Sequence, residues 1–82
     1  MSIVERLNPH QTDGRKKILV VDDEAINREI LERVLRSRYE ILTAENGEQA
    51  LEMLRSRGEE IDLVMLDLSL PDMSCIDFLR KV

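Results

Sequence analysis

The sequence predicts an α/β fold built on a parallel sheet, and three observations carry that prediction. Short, continuous apolar runs such as Lys17-Ile18-Leu19-Val20-Val21 read as strands buried on both faces. Segments with apolar residues at helical spacing alternate with those runs. The connections are short, which favours right-handed crossovers with helices covering both faces of the sheet.

Taken in order, residues 1–15 read as a tail or linker. They are mostly polar, end in the turn-like Thr12-Asp13-Gly14, and offer at most one loose helical turn from Ile3, Val4 and Leu7. The folded domain is then 16–82. Its first strand stops at Val21 and runs straight into Asp22-Asp23-Glu24. Ile26, Ile30, Leu31, Val34 and Leu35 predict an amphipathic helix over 25–38, with Glu29, Arg33 and Arg36 on its other faces. Residues 39–43 form a second strand, punctuated by Asn46-Gly47. Ala50, Leu51 and Leu54 mark a second helix ending near Gly58. Residues 61–66 form a third strand that stops at Asp67. Pro71-Asp72 breaks the chain, and Ile76, Leu79 and Val82 begin a third helix.

Bulk properties narrow the function classes. The chain has 82 residues, enough for one small domain. Its 43% hydrophobic and 35% charged residues fit a globular rather than a disordered chain. Only Tyr39 and Phe78 are aromatic, so an aliphatic core is expected and a stacking platform for bases is disfavoured. A net charge of −5 opposes binding to nucleic acid or an anionic membrane. The basic cluster Arg15-Lys16-Lys17 is short and reads as a solvated strand entry. No apolar stretch approaches the roughly 20 residues that cross a bilayer, and Glu5, Arg6, Asn8 and Pro9 interrupt any signal-peptide core. A single cysteine, Cys75, excludes an internal disulfide and a multi-cysteine metal site. A cytoplasmic location is expected.

The chemistry lies in three carboxylates. In doubly wound sheets, ligands bind outside the carboxyl ends of the strands, where Asp22, Asp23 and Asp67 all fall. With the first and third strands adjacent, those ends are about 5 Å apart. Carboxylates crowded together repel unless a cation is bound or a proton shared. An all-oxygen donor set selects a hard ion, Mg²⁺ or Mn²⁺. Mg²⁺ recruits phosphate oxygens, and an aspartate can serve as nucleophile to form an acyl phosphate. An acidic residue between strand and helix also serves as a plain N-cap, and Asp67 alone as a turn residue. The two sites together at one sheet edge favour the metal reading.

Three segments in this order resemble the receiver domain of bacterial two-component response regulators. They are Leu19-Val20-Val21-Asp22-Asp23-Glu24, Thr43-Ala44-Glu45-Asn46-Gly47-Glu48-Gln49-Ala50-Leu51, and Leu66-Asp67-Leu68-Ser69-Leu70-Pro71-Asp72-Met73. The resemblance runs from about Lys16 to Val82 and implies a flavodoxin-like (βα)5 fold. The strand order it implies is 2-1-3-4-5, as in a chemotaxis receiver. It further implies a phosphoacceptor at Asp67, direct Mg²⁺ coordination by Asp23, coordination through water by Asp22, and a ligand from the backbone carbonyl of Ser69. The Ser69 side chain would tune the lifetime of the acyl phosphate, and Pro71 would shape the loop. The implied activity is signalling with Mg²⁺-dependent self-phosphotransfer rather than enzymatic turnover. The implied partners are a histidine kinase or phosphotransfer protein, and an output domain. Ala25-Ile26-Asn27-Arg28-Glu29 is similar to receivers fused to hybrid sensor kinases.

Two departures from the family pattern stand out. Ser74-Cys75 replaces an acidic or amide residue followed by glycine, which is expected to strain or reshape the entry to the third helix. Cys75 reads as a helix-start residue rather than a redox switch, and Met53, Met65 and Met73 as packing. The chain also reaches only the start of the third helix, so the family's hydroxyl residue on the fourth strand, lysine on the fifth and switch aromatic are not in it. On this reading the third strand is an uncovered edge open to pairing with another chain, in a homodimer or swapped assembly or with a missing C-terminal half. The alternative functions are a non-phosphorylated docking module or an incomplete, domain-swapped fragment. A phosphohydrolase of the haloacid dehalogenase type needs a second acid where Ser69 stands. A dinucleotide site needs a Gly-x-Gly-x-x-Gly that is absent.

Overall fold

The computed structural model describes residues 2–5 and 15–82. In chain order the elements are β1 (Ser2–Glu5), β2 (Lys17–Val21), α1 (Ala25–Leu35), β3 (Glu40–Ala44), α2 (Gly47–Arg57), a 3₁₀ turn (Gly58–Glu60), β4 (Leu63–Leu66) and α3 (Cys75–Lys81). The sheet order is β1-β4-β2-β3. β2 pairs in parallel with both β3 and β4, so the three strands expected from the sequence take the expected order.

β2 lies between β4 and β3 and is apolar on both faces. Ile18, Leu19, Val20 and Val21 are all buried. Leu19 and Val21 face the main core with Ala44, Ala50, Leu51, Ile61, Val64, Leu66, Leu70 and Phe78. Met53 and Met73 pack at its margin, as does Cys75. Ile18 and Val20 alternate to the other face, which α1 covers through its contacts with β2 and β3. α2 and α3 contact each other, and their buried apolar side chains all join the main core.

Burial on the α1 face differs from the amphipathic pattern. No α1 residue is buried, and Ile26, Ile30 and Val34 are 62%, 53% and 67% exposed. Leu31 and Leu35 are half-buried. One helix resting on two strands turns only a narrow stripe inward, leaving the flank that holds Ile26, Ile30 and Val34 open to solvent. The helix also stops at Leu35 rather than near Arg38. The Leu35 carbonyl accepts the N–H groups of Arg38 and Tyr39, and the Arg15 guanidinium donates to the carbonyls of Arg36 and Tyr39 at 2.7 and 2.9 Å. Arg15 is therefore a cap for the end of α1, not simply a solvated strand entry.

Ser2–Glu5 forms a strand where the sequence suggested a helical turn within a tail. It pairs antiparallel with β4, from Ser2 opposite Leu66 to Glu5 opposite Leu63. An apolar strand edge with unpaired amides recruits any extended segment within reach, and two consecutive apolar residues at Ile3 and Val4 suit a strand as well as a turn. The β4 edge is thus paired within the chain, which removes the basis expected for a homodimer through it. Leu7 and the rest of residues 6–14 lie outside the described residues.

At the opposite end of the sheet, Asp62 ties β2 to the start of β4. Its backbone N–H donates to the Lys17 carbonyl at 2.9 Å, and its Oδ2 accepts the Lys17 N–H at 2.8 Å. Asp62 is buried, and its Oδ1 has no hydrogen-bond partner among the described residues.

Phe78 is fully buried and is the largest side chain in the core. Phe78→Ala is expected to lower unfolding free energy by about 3–5 kcal/mol. Chemical denaturation monitored by circular dichroism measures the loss, and a change below about 1 kcal/mol contradicts this packing.

Candidate functional site

The carboxyl ends of β2 and β4 meet at one edge, and the ladder continues past both strands. The Asp67 N–H donates to the Val21 carbonyl at 2.9 Å, and the Asp22 N–H donates to the Ala44 carbonyl at 3.1 Å. Main-chain pairing therefore fixes both acidic positions before any side-chain interaction is considered. Each side chain then folds back on its own loop. Asp22 Oδ1 accepts the Glu24 N–H at 2.9 Å, and Asp67 Oδ1 accepts the Ser69 N–H at 3.0 Å. Both are Asx turns, in which a short acidic side chain closes the first loop residues beyond a strand.

Asp22, Asp23 and Asp67 are brought together as the sequence implied. One carboxylate oxygen from each lies within 4.8 Å of the others. Asp22 is buried, Asp67 is half-buried and Asp23 is exposed. At an effective dielectric of about 20, unit charges about 5 Å apart repel by about 3 kcal/mol. A typical net hydrogen bond contributes about 1 kcal/mol. Repulsion among the three therefore outweighs either Asx turn, and the arrangement is well matched to a cation. The donors are all hard oxygens with no thiolate or imidazole among them, which fits Mg²⁺ or Mn²⁺. Ser69 is exposed, two residues beyond Asp67. The apolar cavity between α2, β4 and α3, about 290 Å³ in volume, contains none of these aspartates.

Comparison with known proteins meets this geometry directly. The family model described as "Response regulator receiver domain" matches residues 18–82. The chain belongs to the response regulator receiver family. A rice protein, "Two-component response regulator ORR3", is 35% identical over 66 residues, covering 79% of this chain and 50% of its own length. The crystal structure of a receiver domain protein from Clostridium thermocellum superposes with a TM-score of 0.77 at 33% identity, over 80% of this chain and 53% of that one. The receiver domain of the yeast regulator Ssk1, crystallised with the histidine phosphotransfer protein Ypd1, matches with a TM-score of 0.74 at 28% identity, over 87% of this chain and 48% of that one. The chain thus spans about half the length of these relatives. Plant and fungal receivers stand beside bacterial ones, so family membership does not assign a bacterial source. Among the described residues, no helix is long and apolar enough to cross a membrane.

Three residues around this receiver site were not singled out as site residues in the sequence. Arg28, in the first turn of α1, donates from Nη1 to the Asp22 carbonyl at 2.6 Å, and its Nη2 lies 3.5 Å from Glu45 Oε1. It places a cation beside the acidic edge. Asn46 caps α2 by accepting the Gln49 N–H at 2.8 Å, and Gln49 Oε1 accepts the Glu45 N–H. Asp72 reaches from the loop after Asp67 to α2, where Oδ1 and Oδ2 accept the Gly47 and Glu48 N–H groups, both at 2.9 Å. In the sequence the Asn46-Gly47 step reads as punctuation after the second strand, and nothing local pairs it with Asp72. The expected strain at Ser74-Cys75 does not arise. Ser74 is extended and caps α3 by accepting the Asp77 N–H at 3.0 Å, and Cys75 is simply the first helical residue, so no glycine is required.

Desolvation pushes the Asp72 carboxyl up, but the donors from Gly47, Glu48 and its own backbone, with Lys81 nearby, outweigh it and hold the group below the usual range. A depressed folded pKa adds stability above the ordinary value of 3.8 and loses it as pH falls through the lower folded value. The stability gap between wild type and Asp72→Asn, measured by urea unfolding, is expected to be full near neutral pH and to shrink below that value. A gap that widens on acidification contradicts this sign.

Proposed function

We propose that this chain accepts a phosphoryl group on Asp67 from a phosphohistidine, with Mg²⁺ held by Asp22, Asp23, Asp67 and the backbone carbonyl of Ser69. The observation that carries the reading is the gathering of three carboxylate oxygens within 4.8 Å of one another in a chain of the receiver family. A bound Mg²⁺ supplies positive charge against the transferring phosphoryl oxygens. The remaining roles belong to the protein. Asp67 offers an oxygen for attack because its Oδ1 is occupied by the Ser69 N–H and its backbone is fixed to Val21. That oxygen attacks phosphorus, the phosphorus–nitrogen bond to the donor imidazole breaks, and the imidazole leaves with the bonding electron pair and takes up a proton. The product is an aspartyl phosphate, a stored signal rather than a turnover product.

The donor is proposed to be a histidine kinase or a histidine phosphotransfer protein, by analogy with the partner of the yeast receiver. An output domain, or the remainder of a receiver, is the expected recipient of the signal, in a cytoplasmic setting. Incubation with acetyl phosphate and Mg²⁺, followed by intact-mass analysis, is expected to show one phosphate adduct. The adduct should be absent in Asp67→Asn and when the metal is chelated. No adduct in the wild-type chain, or one surviving in Asp67→Asn, contradicts this reading and favours a docking module.

A further inference from the structure

The two acidic strand ends are joined by a second route that runs through the start of α2. From Asp22 the path crosses its N–H to the Ala44 carbonyl, then follows the chain through Glu45 and Asn46 to Gly47. From Asp67 it follows the loop through buried Leu70 to Asp72. The route closes where the Asp72 carboxylate grips the Gly47 and Glu48 N–H groups, 25 and 24 residues away in sequence. Beside this grip, Met73 packs onto the open α-carbon of Gly47, where an added Cβ would lie 2.5 Å from the Met73 sulfur. Two independent contacts therefore pin the loop after Asp67 to the helix whose preceding strand anchors Asp22.

We propose that Asp72 is a positioning residue for the acidic site: its two-oxygen clasp on α2 fixes the Asp67–Ser74 loop and so sets the divalent-ion ligand geometry. This rests on the phosphoacceptor reading for its purpose, but the clasp itself is a statement about metal affinity and loop order. Both oxygens are needed, since each satisfies a different first-turn amide of α2. Charge is needed too, because a carboxylate at a helix N-terminus complements the helix dipole. Groups that orient ligands from behind typically govern metal affinity by about 10- to 100-fold.

The test titrates Mg²⁺ alone into the full chain and its Asp72→Ala, Asp72→Asn and Asp62→Ala variants, with amide hydrogen exchange followed at Ser69. Asp72→Ala is expected to weaken Mg²⁺ binding about tenfold and to speed exchange at Ser69. Asp72→Asn retains one acceptor and should fall between. Asp62→Ala removes the tie between β2 and the start of β4 at the far end of the sheet, so it should lower stability while leaving Mg²⁺ affinity within about twofold. Equal Mg²⁺ affinity in wild type and Asp72→Asn, or equal losses in Asp62→Ala and the Asp72 variants, overturns the clasp, as does a wild type that binds no Mg²⁺. A wild type that binds Mg²⁺ with the expected ranking but takes no phosphate sustains the clasp and overturns the phosphoacceptor reading instead.

Discussion

Everything about this site depends on two main-chain hydrogen bonds, from the Asp67 N–H to the Val21 carbonyl and from the Asp22 N–H to the Ala44 carbonyl. They carry the parallel ladder one step beyond the strands and hold acidic residues of two strands side by side. Side chains left to themselves would separate, since like charges at this range repel by more than a hydrogen bond returns. The sheet overrides that preference. Burial of Leu19, Val21, Val64 and Leu66 beneath the ladder makes slippage costly, because a one-residue shift would take each side chain out of its close-packed place. Hydrophobic packing thus supports an electrostatically unfavourable arrangement suited to a cation.

The fold was legible in the sequence wherever a continuous apolar run or a helical period was strong. β2 and α2 lie close to their expected places because Lys17–Val21 has no competing pattern and Asn46 gives α2 a defined start. The acidic trio was legible for a different reason: in a parallel sheet, the residue after each strand points to a shared edge. What escaped were contacts between segments distant in sequence. Asp72 reads locally as a turn residue after Pro71, and only the folded loop brings it to α2. Arg15 reads as part of a basic run, and only the path of α1 gives it carbonyls to cap. The strand at Ser2–Glu5 could not be foreseen from four residues, because its partner is an edge created by β4 rather than a local pattern.

The α1 face shows the limit of periodicity most plainly. Ile26, Ile30 and Val34 carry a proper helical repeat, yet all three are exposed. Periodicity reports that a helix has an apolar side; burial requires a neighbour to receive it. A similar contrast separates the two loops at the acidic edge. Asp22 and Asp67 make equivalent Asx turns, but the first leads into α1 with Arg28 alongside, whereas the second is tied to α2 through Asp72. The acidic edge is therefore braced from both sides, by Arg28 of α1 at Asp22 and by Asp72 against α2.

The proposed function stands or falls on whether Asp22, Asp23 and Asp67 share one divalent cation whose binding relieves their repulsion. A ligand that binds only the folded state stabilises it by RT ln(1 + [L]/Kd). Thermal unfolding of the wild-type chain with increasing Mg²⁺ measures this most directly, alongside Asp67→Asn. The expected result is a midpoint that rises with Mg²⁺ in the wild type, with a sharply reduced rise in Asp67→Asn. A wild-type midpoint indifferent to Mg²⁺, or an equal rise in both proteins, contradicts a shared cation.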